Sequence, residues 1–169
     1  PDEVPPTTTM FRWSATAFAR RDTDGRRRVG EPRLDPVTGQ RIAAELFPVY
    51  GSRLEGDTAG ADLLVLRRAA AGPTGWLSYT WARTRHRDTV TGEVYDGDLD
   101  QRHTFNAFAQ QRISHQLSIS AKLRIGSNTP LVGYFEPDGD LLKLAARRNG
   151  SRLPVYARLD LRATRTWVL

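Results

Sequence analysis

Residues 117–126 decide the fold predicted for this chain, and they read Leu117-Ser118-Ile119-Ser120-Ala121-Lys122-Leu123-Arg124-Ile125-Gly126. The odd-numbered residues are apolar, and the even-numbered ones are polar or small. Successive side chains of a β-strand point to opposite faces of its sheet, so this period of two predicts a strand with one apolar and one polar face. Two further strands with a similar pattern precede it. The first begins at residue 76, a long polar loop separates it from the second, and a tight turn leads from the second into residues 117–126.

Six strands of this kind can be traced along the chain. They are predicted at residues 10–20, 54–68, 76–85, 101–112, 117–126 and 153–169. Residues 1–9 form a polar lead-in, and a small hairpin is expected near Thr38 and Gly39 in the first connection. Strands of about ten residues, joined alternately by long loops and tight turns, are typical of membrane β-barrels. We therefore expect an all-β fold over residues 10–169, an antiparallel up-and-down segment of a transmembrane barrel with about six long strands.

The sorting of the connections predicts an orientation. In bacterial outer-membrane barrels, the short turns face the periplasm and the long loops face the outside. The strands that begin at residues 10, 76 and 117 are therefore expected to run outward, and the other three to run inward. A soluble sandwich has no physical reason to sort its connections in this way.

Composition narrows the function further. The net charge of +6 is carried almost wholly by arginine, since Lys122 and Lys143 are the only lysines. A nucleic-acid interface concentrates such charge, whereas these arginines are spread over strand ends and loops, so no nucleic-acid partner is expected. The run Arg26–Arg28 is interpreted as a solvated loop tip in preference to a phosphate-binding patch. The chain has no cysteine, which excludes thiolate chemistry and disulfides.

No constellation for catalysis or a cofactor is evident, so the protein is not expected to be an enzyme. The three histidines lack the spacing of a zinc site; they are His86, His103 and His115. Three aspartates alternate like the start of a calcium loop, but the glycine and the final glutamate of such a loop are missing. These aspartates are Asp96, Asp98 and Asp100. An irregular calcium site there stays open beside a solvated turn.

Two sets of side chains are assigned positions in the predicted wall. Cations on the non-apolar face of a spanning strand would point into the lumen, where they would line the wall, pair with Asp160 or meet an anionic ligand or a plug. These lumen-facing candidates are Lys122, Arg124, Arg158 and Arg162. Aromatic residues near strand ends are candidates for the girdle that meets lipid headgroups. They are Trp76, Tyr156 and Trp167.

Four segments carry a resemblance to a known family. They are GADLLVLRR (residues 60–68), GWLSYTWAR (75–83), DQRHTFN (100–106) and NGSRLPVYARLDLR (149–162). In order and spacing they resemble the barrel of TonB-dependent outer-membrane receptors. The resemblance covers most of the chain from about residue 10 onward.

The resemblance implies active uptake of a scarce, large nutrient such as a ferric siderophore, cobalamin or a glycan. It implies a location in the outer membrane of a Gram-negative bacterium, contact with lipid, and energy from the TonB complex. The sequence departs from the family because the plug domain, the TonB box and the closing strands are absent. We therefore expect a part of the barrel that needs the missing plug and the remaining strands as partners.

Two other interpretations stay open. A soluble β-sandwich or lipocalin-like binding module would fold without detergent and would have short connections at both ends of its strands. A basic β domain that binds nucleic acid would cluster exposed aromatic residues with arginines on one sheet face.

Overall fold

The computed structural model describes residues 8–47 and 49–167, and in that part the chain is all-β with no helix. The strands are β1 (Met10–Val29), β2 (Arg33–Leu34), β3 (Arg41–Ile42), β4 (Val49–Arg68), β5 (Thr74–Asp88), β6 (Val94–Asp96), β7 (His103–Arg112), β8 (Leu117–Gly126), β9 (Phe135–Asp138), β10 (Leu141–Leu144) and β11 (Tyr156–Arg165). No helix long and apolar enough to cross a membrane occurs in these residues.

One antiparallel sheet contains all six predicted strands. Its order is β1-β4-β5-β7-β8-β11, so each long strand pairs with its neighbour along the chain. The short β6 pairs with the end of β5, and two small hairpins stand apart, β2–β3 and β9–β10. The β2–β3 hairpin turns at Gly39, where φ is 69°, and confirms the hairpin expected near Thr38. The tight turns and long connections alternate as predicted, with long ones after Val29, Asp88 and Gly126.

Strand β1 is about twice as long as predicted. The residues interpreted as a loop tip continue the ladder, with Arg26 opposite Ser52 and Arg28 opposite Tyr50. The loop-tip interpretation was therefore wrong. This half of the strand lacks apolar alternation, and register shifts between Asp22 and Arg26 interrupt the pairing, as β-bulges do. Backbone hydrogen bonds hold such a polar ribbon together without any hydrophobic pattern.

The last strand is shorter than predicted. It covers Tyr156–Arg165, whereas residues 153–169 were expected. Pro154 breaks the ladder at the front, because proline has no N–H to donate. Residues 168 and 169 lie outside the described part of the chain.

Cross-strand register gives the sheet two different faces. One row of directly paired residues contains only apolar side chains: Trp13, Val65, Leu77, Ala107, Leu123 and Leu159. The next row on the same face is also apolar: Ala15, Leu63, Tyr79, Phe105, Ile125 and Ala157. The row between them, on the opposite face, is mostly polar: Ser14, Leu64, Ser78, Asn106, Arg124 and Arg158. The alternation seen in one strand is thus kept in register across six.

The apolar face is open. Trp13 is 72% exposed and Leu161 is 75% exposed, and no second layer of described residues packs on this face as in a β-sandwich. The sheet is also open at its sides, since β1 and β11 are its edges and the described strands do not close into a barrel. The architecture is therefore one large open antiparallel sheet with two small hairpins, and most of its buried residues lie at the long-loop end.

Gly75 marks a close approach between β5 and β7. A Cβ added at this position would lie 2.0 Å from the carbonyl oxygen of Phe108. Gly75→Ala should therefore separate the two strands beside the short turn and lower the free energy of unfolding by about 1 to 3 kcal/mol. Urea denaturation followed by tryptophan fluorescence measures this change. Gly150→Ala is the control, because an added Cβ there meets nothing nearer than 3.5 Å; equal midpoints for the two variants would contradict the prediction.

Candidate functional site

The four predicted lumen-facing cations lie together on the polar face of β8 and β11. Arg124 and Arg158 are directly paired in the ladder, and Lys122 lies opposite Asp160. Arg162 lies opposite Ser120 on the same face. Asp160 accepts a hydrogen bond from Nε of Arg158 at 2.8 Å, which is the carboxylate partner expected for these cations. All four cations are exposed, so they form a positively charged strip along one edge of the sheet.

The predicted girdle residues have other placements. Trp76 stacks on Phe108 at a centroid distance of 6.4 Å, on the face that carries Lys122. Tyr156 is also on the polar face, where the guanidinium of Arg124 lies 6.0 Å from its ring. Trp167 follows β11, is 68% exposed and lies 4.0 Å from the guanidinium of Arg165. Trp76 and Tyr156 therefore do not have the outward placement that a girdle requires.

Other aromatic side chains do lie on the apolar face. Tyr79 and Trp81 alternate with Ser78 and Thr80 along β5, and each is about 40% exposed. The Tyr79 hydroxyl is 2.7 Å from Nδ1 of His103, so the polar tip of this ring has a partner. An aromatic girdle stays a prediction, and its best-placed candidates on this strand are Tyr79 and Trp81. Parity along the strand, rather than distance from its end, is the signal that identifies them.

At the long-loop end of the sheet, Asp88 anchors a buried network of ion pairs. Its side chain has 0% exposure, and Oδ2 accepts hydrogen bonds from Arg27 at 2.8 Å and Arg53 at 2.7 Å. Oδ1 accepts the backbone amides of Val90 and Thr91, both at 2.9 Å. This carboxylate thus joins β1, β4 and the connection after β5.

Glu93 and Tyr134 extend the network to the third long connection. Arg27 donates to Glu93 at 2.8 Å and to the Tyr134 hydroxyl at 2.5 Å, and that hydroxyl also donates to Glu93. Tyr134 is 1% exposed. Arg27 and Arg148 lie on the ring of Tyr95, at 5.0 and 5.3 Å from its centroid. These contacts bring residues of β1 and of the second and third long connections into one cluster, which we call the loop network.

The three alternating aspartates belong to the same loop network. Arg152 donates to Asp96 and Asp100, both at 2.7 Å, and Arg102 also pairs with both. Asp98 accepts from Arg148 at 3.2 Å and from the Asn149 side chain at 2.7 Å. Each carboxylate is therefore already matched by a cation. Within residues 8–47 and 49–167, no group of three or more His, Asp or Glu side chains is arranged to hold a metal ion, so the geometry gives no support to the calcium site that the sequence left open.

Burial and hydrogen bonds in the loop network shift the pKa values of three of its side chains. Burial raises the pKa of Asp88, but the Thr91 amide, the Arg53 guanidinium and the Val90 amide outweigh it and lower that pKa to about 2. Glu93 is affected in the same way, since burial is outweighed by the Tyr134 hydroxyl and Arg27, and its pKa is lowered. Burial raises the pKa of Tyr95 to about 12, against the opposing effect of Arg27. At neutral pH, Asp88 and Glu93 are therefore charged and Tyr95 is neutral.

The loop network is the part of the candidate site that the sequence reasoning missed. Its partners are far apart in the chain: Arg148 pairs with Glu31 across 117 positions. A signal was present in the alternating aspartates and in the large excess of arginine over lysine, because Arg forms planar, bidentate pairs with carboxylates that Lys cannot form. The arrangement is a charged cap at the long-loop end of the sheet, held by ion pairs and hydrogen bonds between the connections.

Comparisons with protein-family models, with curated proteins and with solved structures gave no match.

Asp88→Asn tests the loop network. The substitution keeps the shape and the acceptor for the loop amides but removes the charge that Arg27 and Arg53 share, so we expect a loss of about 3 kcal/mol or more in the free energy of unfolding. Urea denaturation followed by near-UV circular dichroism measures it. Asp57→Asn is the matched control, because the pair of Asp57 with Arg21 is exposed and should contribute little. A midpoint for Asp88→Asn equal to that of the control would rule out the anchoring role.

The pH dependence of stability follows from the same carboxylates. A carboxyl whose pKa is lower in the folded than in the unfolded state stabilises the fold above its unfolded pKa, and this stabilisation is lost as pH falls through the folded value. For Asp88 this window runs from its ordinary 3.8 down to about 2. We expect the urea midpoint to fall over that range, and to fall less steeply in Asp88→Asn. Parallel pH profiles for the two proteins would contradict this assignment.

Proposed function

We propose that this chain is part of the wall of an outer-membrane transporter of the TonB-dependent class. Such a transporter takes up a scarce, large nutrient, for example a ferric siderophore, cobalamin or a glycan. The observation that carries the proposal is the uncovered apolar face, which runs in register across six strands. The chain contributes wall and outer loops, and the energy for transport comes from the TonB complex acting on the whole receptor.

The apolar face has the properties expected of a surface in contact with lipid. On β4 and β5 it is bounded toward the long loops by Asp57, Arg83 and Arg85, and toward the short turns by Arg67. Charges flank the apolar band, as they do where a membrane protein meets water at both bilayer surfaces. In water, a continuous apolar surface of this extent would be a liability for aggregation. A soluble sandwich would cover it with a second layer.

The polar face supports the second half of the proposal. Hydrogen bonds between side chains cross it, such as Thr80 to Asp62 at 2.6 Å and Thr58 to Thr84 at 3.1 Å. A water-filled or plugged lumen needs a wetted inner wall of this kind. The positively charged strip on β8 and β11 adds a surface on which an anionic part of a plug or ligand would be stabilised. The loop network holds the long connections at the outer mouth.

The assignment to the TonB-dependent class rests on the four sequence segments described above. The two open edges fit that class, because its barrels have 22 strands and this sheet needs neighbours beyond β1 and β11. In the proposed receptor, this sheet has the plug domain and the other strands of the wall as partners. The proposed location is therefore the outer membrane of a Gram-negative bacterium, with lipid on the apolar face.

Tryptophan quenching tests the proposed contact with lipid. Trp81 and Trp76 lie five residues apart on β5 but on opposite faces, so they form a matched pair. Two single-tryptophan variants of the full chain, each with the other three tryptophans replaced by phenylalanine, are folded into phospholipid vesicles. Lipids with brominated acyl chains should quench Trp81 strongly and Trp76 weakly, because only the first ring faces the acyl chains.

Equal quenching of both rings would contradict the proposal that this sheet is part of a membrane wall. A chain that stays in solution without vesicles would contradict it as well. The transporter class is tested separately by the coding DNA on both sides of this segment. A plug-like domain upstream and further alternating strands downstream are expected, and unrelated genes at both sides would remove the TonB-dependent assignment while leaving the quenching result intact.

A further inference from the structure

A cavity of about 420 Å³ lies at the long-loop end of the sheet. Its floor includes Thr84 and His86 of β5, which continue the polar face of Ser78 and Thr80. The β1–β4 hairpin forms one side and the segment around Tyr95 forms the other. This volume falls within the range of small-molecule sites in proteins. In the proposed transporter, the cavity opens on the inner face of the wall, near the outer mouth.

Cations dominate the charge of the cavity. Arg26, Arg27, Arg28 and Arg148 line it, against the single carboxylate of Asp98. Asp98 is paired with Arg148, and Arg27 is matched by Asp88 and Glu93 of the loop network. The side chains of Arg26 and Arg28 are different: both residues are exposed, and neither guanidinium pairs with a carboxylate or forms a hydrogen bond within the described residues. Two uncompensated positive charges therefore border the cavity.

A buried donor at the cavity is also unsatisfied. The Arg148 side chain is only 8% exposed, yet its Nε–H has no hydrogen-bond partner in the described part of the chain. A buried N–H without a partner is costly, because it has lost its hydrogen bond to water. Because protein atoms enclose this Nε–H, Arg148 contributes its positive charge to the cavity and not a hydrogen bond to an entering anion.

The remaining lining is apolar or aromatic. Leu54 and Leu99 contribute aliphatic surface, and Tyr50 and Tyr95 contribute ring surface. A bare inorganic anion would leave this surface without a partner, whereas an anion carried on a carbon body would cover it. We infer that the cavity binds a small organic anion, with its charged group at Arg26, Arg28 and Arg148 and its body against the tyrosines and leucines. The inference rests on the proposed function, in which it narrows the nutrient to an anionic one.

Calorimetric titration of the full chain in detergent micelles tests the site with three probes. Phthalate carries two carboxylates on a benzene ring, phthalamide has the same shape without charge, and inorganic phosphate has charge without a carbon body. Phthalate should bind saturably, and phthalamide and phosphate should each bind at least about tenfold more weakly, as expected when a charge-assisted hydrogen bond or the apolar contact is lost. Added salt should weaken phthalate binding.

The double variant Arg26→Gln/Arg28→Gln should lower the affinity for phthalate at least about tenfold. Because neither arginine has a partner in the loop network, the variant should keep the fold, which near-UV circular dichroism checks. Arg41→Gln is the control, since Arg41 is an exposed arginine of the same end of the sheet that does not line the cavity.

Equal binding of phthalate and phthalamide by the unmodified chain, no saturable phthalate binding, or a double variant that binds like the control would each overturn the site. The lipid-quenching experiment reports on the wall independently. Phthalate binding without lipid quenching would support the anion site and contradict the proposed transporter. Lipid quenching without phthalate binding would support the transporter and contradict the anion site.

Discussion

Cross-strand register is the constraint on which the rest of this structure depends. Each strand offers apolar side chains at every second position, but a continuous apolar face exists only if all six strands pair with the same parity. A slip of one residue between any two neighbours would place the whole apolar set of one strand among the polar residues of the next. The observed pairing joins Trp13 at one edge to Leu159 at the other without such a slip. The apolar face and the polar face are two results of this one alignment.

The buried core of the described residues contains as many polar or charged side chains as apolar or aromatic ones. Tyr134, Asp88 and Asn149 are among the most buried side chains, and arginine–carboxylate pairs surround them. Burying charge is expensive, and such pairs stabilise a fold only when their geometry and their remaining hydrogen bonds are good. Here each carboxylate oxygen of Asp88 accepts two hydrogen bonds, which also fixes how the connection after β5 leaves the sheet. Directional hydrogen bonds therefore fix the arrangement of the loops. The faces of the sheet are fixed instead by the alternation of side chains along its strands.

The features that the sequence predicts best are those that depend only on the alternation of odd and even positions along a strand. The strand at Leu117–Gly126 is confirmed to the residue, and the four cations share a face because their positions have the same parity as Ser120. Two girdle candidates, Trp76 and Tyr156, were chosen by distance from a strand end, and both lie on the polar face. The second half of β1 was missed because backbone pairing without an apolar pattern leaves no trace in the sequence. The loop network joins residues up to 117 positions apart, as at Glu31 and Arg148, and no local pattern specifies such partners.

The third long connection has a mechanical consequence for the sheet. It leaves β8 at Gly126 and returns at Tyr156. Its middle is bonded to Arg27 of β1 through the Tyr134 hydroxyl, and to Leu34 of β2, whose N–H donates to the Ala145 carbonyl at 3.0 Å. The connection is thus a strut between the two sides of an open sheet. Any change in the curvature of the sheet would strain this strut directly, so the position of the loop network and the bend of the sheet are coupled.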